Sequence, residues 1–419
     1  MLPPKQQLPY FSPRMQPTQK TRKRIYNRTI NTCTMGNSTP TPPPPAAAPV
    51  PDIRLPDDYK WPGNLHIEAR DMADAAFLVY SWAYVLDALE KENITLEKKS
   101  LTPTEVKDII KTHQEALKKH YGDKFDDDRN TMKSLQRLVE RGGDKEADLT
   151  MEAFDADFQT KELVFGITKD SIKKRITLIF RGTENALAFQ SNWMANFQLT
   201  KTGEELPDSL KGKLSSDKVW IHSGFHNYMN KDTVVEGDSE TKKEQVLRMV
   251  KELVKKNPGY AVYVTGHSLG GALSTLGGYY LATDPEIPKP VSVINFASPR
   301  VGNADFREAI TTLEKNNDIR FCRFVNENDS ITIIPTLNYT HVGLQVKLNE
   351  SPKVDPLVRY PKTSDVWTIL WNAWDNSIPS AFNLGYDHSD YRERIETHKE
   401  KIAKLSVNEL YKDSDLTGF

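Results

Sequence analysis

Gly266-His267-Ser268-Leu269-Gly270-Gly271 is the segment whose residue types and spacing are suited to nucleophilic chemistry. A serine hydroxyl is a weak nucleophile until a base takes its proton and a third group orients that base. A Gly-x-Ser-x-Gly placed where a strand turns sharply into a helix lifts the serine Oγ clear of the sheet. It also aims the next backbone N–H at the point where an oxyanion would form. Tyr260–Thr265 reads as the strand, and the small-residue run from Leu269 is compatible with the helix. Gly266 and Gly270 then let strand and helix approach around a backbone that a Cβ would obstruct.

The base and the acid have to be found downstream. In α/β-hydrolases the chain order is Ser, then Asp or Glu, then His. Of the nine histidines, His341, His388 and His398 follow a plausible acid. Asp329 is the acid selected, because it follows the strand Arg320–Val325 through Asn326-Glu327-Asn328. Open parallel sheets place their sites at that carboxyl edge. His388 lies in a loop-like stretch, Gly385–Tyr391, just before a charged C-terminal helix. His398 sits inside that helix among Glu396, Lys399, Glu400 and Lys401, and reads as solvated. His341 comes twelve residues after Asp329, on what reads as the next strand. Spacing leaves both His341 and His388 open as the base. A developing oxyanion needs two preorganised donors. The Leu269 N–H supplies one, and the turn Phe180-Arg181-Gly182-Thr183 offers Thr183 as the other.

The elements that must position these residues form a recurring pattern. An apolar stretch from Glu68 to Leu89 reads as a buried helix, and Thr102 caps a second helix over Pro103–His120. A third helix is predicted at Asp128–Glu140. The period then changes to two, and Met151–Thr160 with Glu162–Ile167 reads as an antiparallel pair, followed by the strand Arg175–Arg181. Lys243–Lys256 carries one apolar stripe and stops at Asn257-Pro258-Gly259. Val291–Phe296 is a buried strand, Ala304–Leu313 a helix and Arg320–Val325 a strand. This alternation predicts an α/β fold with a largely parallel sheet covered on both faces.

Taken in order, Ile179-Phe180-Arg181-Gly182-Thr183, Asn192-Trp193, Ile221-His222-Ser223-Gly224-Phe225 and the elbow Val264–Ala272 resemble the class 3 (fungal-type) lipase family. The resemblance continues through Ser298–Asn303, Phe324–Asp329 and Tyr339–Gly343, and covers roughly residues 150–400. It implies an α/β-hydrolase with Ser268, Asp329 and His388 as catalytic triad and Thr183 and Leu269 as oxyanion hole. In that family the His-x-Gly after the acid is structural, which sets His341 aside in favour of His388. This chain has Ser330-Ile331-Thr332 where the family often has Val-Pro. The resemblance also implies an amphipathic lid after Thr183, with Leu187, Phe189 and Trp193 as candidates for its apolar face, although Trp193, four residues before Phe197, reads first as a core residue. Val366, Trp367, Leu370, Trp371 and Trp374 form a one-sided aromatic helix that reads as core. The implied activity is hydrolysis of lipid carboxylic esters, of acylglycerols first, with phospholipase A1 and galactolipase as the alternatives. No cofactor or metal is called for. A non-catalytic, lipase-like interaction scaffold is the reading from a different class.

Composition narrows the rest. The chain has 419 residues, with 56 basic against 57 acidic, so no global field selects nucleic acid. Residues 1–51 hold seven basic residues and no acidic one, leaving 49 basic against 57 acidic in the remainder. Residues 1–60, basic and rich in proline, read as a disordered tail meeting part of the description of a transit peptide. Residues 61–145 read as a helical extension packing on the core, and 146–419 as the hydrolase domain. Two cysteines in unlike contexts make no disulfide framework. Expected from these features are an intracellular location, cytoplasmic or organellar, a lipid ester substrate at a membrane or lipid-droplet surface, and no transmembrane segment.

Overall fold

A computed structural model describes residues 53–96, 100–122, 149–155, 165–182, 200–230, 232–235, 238–335, 338–360 and 388–413. At its centre is an eight-stranded sheet of order β1-β2-β3-β8-β9-β10-β11-β12. Strands β3 (Arg175–Phe180), β8 (Ala261–Gly266), β9 (Val291–Phe296), β10 (Ile319–Asn326) and β11 (Leu344–Leu348) run parallel to one another. Antiparallel strands flank them: β1 (Leu149–Asp155) and β2 (Phe165–Asp170) on one side, β12 (Leu357–Arg359) on the other. The continuous apolar runs of the parallel strands follow from burial on both faces. Short hairpins β4–β5 (Lys201–Glu205 and Lys218–His222) and β6–β7 (Asp232–Val235 and Asp238–Thr241) lie outside this sheet.

Alternate residues of each strand feed two cores. Ile176, Leu178, Phe180, Val262, Val264, Val293 and Phe321 pack beneath α4 (Ser223–Asn230), α5 (Lys242–Lys256), α6 (Leu269–Thr283) and α7 (Ala304–Lys315). Tyr263, Ile294, Phe296, Cys322 and Phe324 pack beneath α1 (Leu65–Lys91) and α8 (Tyr391–Thr397). The expected helix over Pro103–His120 is two helices, α2 (Pro103–Thr112) and α3 (Gln114–Tyr121), separated at His113. The expected helix at Asp128–Glu140 and the aromatic helix around Trp371 lie outside the described residues.

The first helix packs directly on the sheet. Leu65, Ala69, Met72, Ala73 and Ala76 are fully buried against the sheet, so α1 is one of the two layers that close the core. By length and composition alone α1 would be able to cross a bilayer, yet 72% of its most apolar 18-residue window is buried inside the protein. Its first three turns also bury Glu68, Asp71 and Asp74. Glu68 pairs with Arg320 at 3.0 Å, Asp71 with Lys173 at 2.6 Å and Asp74 with Arg392 at 2.6 Å. Carboxylates placed at a bilayer centre cost about 2.5–3.5 kcal/mol each, so this helix is made for a protein core.

Residues 53–60 belong to the span 1–60 that the sequence reads as a tail, yet they are held by the rest of the chain. Residues 53–60 are placed: Leu55 N–H donates to the Lys289 carbonyl at 3.0 Å, and the Tyr59 and Trp61 rings meet edge-on at 4.9 Å. Residues 1–52 lie outside the described residues. The parallel sheet, the serine at the turn after β8 and the acid after β10 together make this an α/β-hydrolase fold.

Candidate active site

Ser268 stands between β8 and α6 with φ +61° and ψ −124°, a conformation that L-residues with a Cβ seldom adopt. Such strain persists only where the surroundings hold it, and here they do so by close approach. A Cβ on Gly270 would lie 2.2 Å from the Phe180 carbonyl oxygen, and one on Gly266 2.2 Å from the Gly270 oxygen. The end of β3, the turn and the first turn of α6 therefore touch backbone to backbone. The Ser268 N–H donates to the Phe296 carbonyl of β9 at 3.0 Å, tying the turn to the neighbouring strand.

Three side chains far apart in the sequence meet at this edge. Ser268 Oγ lies 2.8 Å from His388 Nε2. His388 Nδ1 lies 3.1 Å from each carboxylate oxygen of Asp329. A carboxylate accepts, so the Nδ1–H donates to it and Nε2 is left to accept from the serine hydroxyl. All three are buried. Asp329 caps the short 3₁₀ turn Ser330–Ile333, its Oδ1 accepting from the Ile331 N–H at 3.0 Å. Its Oδ2 accepts from the Tyr391 hydroxyl at 2.6 Å, and that hydroxyl in turn accepts from the Asn326 N–H at 3.0 Å. Sequence reasoning did not single out Tyr391. The available signal was its spacing, three residues after His388 and one turn of helix away.

Leu269 opens α6, and first-turn N–H groups have no acceptor within their own helix. Thr183 and the lid residues Leu187, Phe189 and Trp193 lie outside the described residues. Gly182, just before Thr183, is described. A Cβ there would lie 2.2 Å from the Tyr80 hydroxyl and 2.6 Å from the His267 carbonyl, so α1 and the serine turn leave no room for one.

His341 is held elsewhere, with Nε2 2.6 Å from the Thr332 carbonyl, and burial together with Arg323 and Arg300 pushes its pKa down. His398, expected to be solvated, is buried at the end of α8 with Nδ1 3.0 Å from the Arg394 carbonyl. Among the described residues no group of three His, Cys, Asp or Glu side chains stands close enough to hold a metal ion.

This constellation is equipped to deprotonate a hydroxyl, attack a carbonyl carbon and return the proton to a leaving group. Residues 177–339 match the class 3 lipase family. Phospholipase A1-IIgamma of Arabidopsis thaliana is 38% identical over 139 residues, covering 30% of this chain and 32% of that protein. The chloroplastic galactolipase DONGLE of the same plant is 29% identical over 206 residues, covering 42% and 41%. The chain thus spans less than half the length of these two relatives. Among solved structures, lipase II from Rhizopus niveus aligns with a TM-score of 0.43 at 24% identity, over 61% of this chain and 82% of that one.

Proposed function

With a class 3 lipase segment at residues 177–339 as the premise, we propose that this chain is a serine hydrolase of lipid carboxylic esters. Ser268 is the nucleophile, His388 the general base and then the general acid, and Asp329 the group that fixes the imidazole tautomer. The single observation that carries the reading is the 2.8 Å contact of Ser268 Oγ with His388 Nε2, backed by Asp329 at 3.1 Å. Attack of Oγ on the ester carbonyl passes its proton to Nε2. The oxyanion is received by the Leu269 N–H and by Thr183. Collapse expels the alcohol, which takes the proton from His388. Water, deprotonated by the same imidazole, attacks the acyl carbon, and His388 returns that proton to the departing Ser268 Oγ as the acid is released.

Of the three substrate classes the sequence leaves open, polar glycerolipids are preferred over triacylglycerols, because the relatives carry phospholipase A1 and galactolipase names. The complete hydrogen-bond chain also favours an enzyme over the non-catalytic scaffold. A fluorophosphonate probe tests the activity: wild type is labelled and Ser268→Ala, equally folded, is not. A folded but unlabelled wild type returns the chain to the scaffold reading. Fatty acid release from detergent-dispersed phosphatidylcholine, monogalactosyldiacylglycerol and triacylglycerol then sorts the substrate class. Fastest release from triacylglycerol would reverse the stated preference.

A further inference from the structure

We propose that His267, the residue before the nucleophile, is a positioning residue for the His388 imidazole: its Nε2–H holds the main-chain carbonyl of His388 while its Nδ1 faces the Tyr80 hydroxyl of α1. The proposal rests on reading Ser268, Asp329 and His388 as the catalytic group. His267 Nε2 lies 2.5 Å from the His388 carbonyl oxygen. A carbonyl only accepts, so Nε2 carries the hydrogen. Burial and the neighbouring His388 push the His267 pKa down to about 3. The ring therefore stays neutral, with a lone pair on Nδ1. The Tyr80 hydroxyl lies 3.5 Å from that nitrogen and 3.5 Å from the His267 carbonyl. The imidazole is clamped as well as bonded, its ring centre 5.1 Å from Phe77, 4.6 Å from His388 and 5.7 Å from Tyr391.

The arrangement meets a specific need. Asp329 and Ser268 fix the His388 ring at its two nitrogens, but the backbone carrying that ring is 120 residues from the nucleophile. Bonding the His388 carbonyl to the residue beside Ser268 fixes base and nucleophile to a single turn. The neutrality of His267 also matters, since a cation there would oppose the imidazolium that forms on His388 during the reaction. A donor of this geometry without charge is what the position requires.

Two variants and one spectroscopic measurement decide the matter. His267→Leu fills the site without a donor. His267→Gln places an amide N–H near the position of Nε2. Misplacing a reacting group by about 1 Å costs about 10²-fold. His267→Leu is therefore expected to lower kcat on a soluble ester, and the rate of fluorophosphonate labelling, by about 10- to 100-fold with KM little changed. His267→Gln is expected to recover most of that loss. Equal losses in the two variants, or a Leu variant as fast as wild type, would overturn the proposal. Should the Leu variant not fold, nitrogen-detected NMR of the wild type decides instead. His267 is expected as the Nε2–H tautomer with no titration between about pH 5 and 8. An Nδ1–H tautomer, or a titration in that window, rejects the role. A wild type that takes no label at all indicts the serine hydrolase reading rather than His267.

Discussion

At the scale of single residues, Tyr391 is the group whose removal separates geometry from charge. Its hydroxyl donates to Asp329 Oδ2 at 2.6 Å and accepts from the Asn326 N–H at 3.0 Å, and burial with Asp329 beside it pushes its pKa well up. Tyr391→Phe keeps the ring and strips both bonds. Each intramolecular hydrogen bond contributes about 0.5–1.5 kcal/mol net, so a lower midpoint in urea is expected. Asp329 keeps the Ile331 N–H and the His388 Nδ1–H as donors. Activity on a soluble ester should therefore fall by about tenfold, well short of the about 10⁴-fold that follows loss of the triad carboxylate's function. A fall as deep as that of an Asp329→Ala variant would mean that the tyrosine is indispensable to the carboxylate. Tyr391, Tyr80 and His267 escaped sequence reasoning for a common reason. Each acts through a contact 62 to 187 residues away along the chain. Ser268, by contrast, was legible because its signal lies in the glycines beside it, and Asp329 because strand order assigns the acid to the edge after β10.

At the scale of elements, α1 meets the sheet through a buried charge cluster as well as through apolar surface. Glu68 receives both contacts of the Arg320 terminal nitrogen, at 3.1 and 3.0 Å, and the Tyr263 hydroxyl at 2.7 Å. The Arg320 guanidinium stacks over Trp61 at 3.8 Å. Removing one partner of such a pair costs about 3–5 kcal/mol, whereas replacing both with well-packed apolar groups is often neutral. Glu68→Leu is therefore expected to lower unfolding stability by about 3–5 kcal/mol. Adding Arg320→Met to it should return most of that loss, and denaturant titration of the four proteins of this cycle measures it. No recovery in the double variant would show that the cluster contributes through its shape rather than its charge. The sequence disclosed the helix, expected at Glu68–Leu89 and found at Leu65–Lys91, because its apolar content is local. It did not disclose the break between α2 and α3, which falls at His113 without a proline or glycine to mark it. Nor did it disclose the β4–β5 hairpin, whose strands alternate weakly and lie off the main sheet.

At the scale of the whole molecule, the stretch that matches the class 3 lipase family and the unit able to fold are different things. Residues 177–339 contain β8, β9 and β10 with Ser268 and Asp329, but neither His388 nor α1. Cutting away α1 would uncover Tyr263, Ile294, Phe296, Cys322 and Phe324, which are buried beneath it. Burying one such large side chain is worth about 1.5–3 kcal/mol, and whole domains are stable by only about 5–15 kcal/mol. A chain reduced to residues 100–419 is therefore expected to be insoluble or to bind a hydrophobic dye, and to take no fluorophosphonate label. Its loss should exceed that of Tyr391→Phe, Glu68→Leu or His267→Leu, because α1 also carries Tyr80 to His267 and Asp74 to Arg392, which stands next to Tyr391. The helix is thus tied both to the serine turn and to the segment that bears the base. A shortened chain that melts cooperatively and labels at the wild-type rate would show that the serine site is assembled by the sheet and its other face alone.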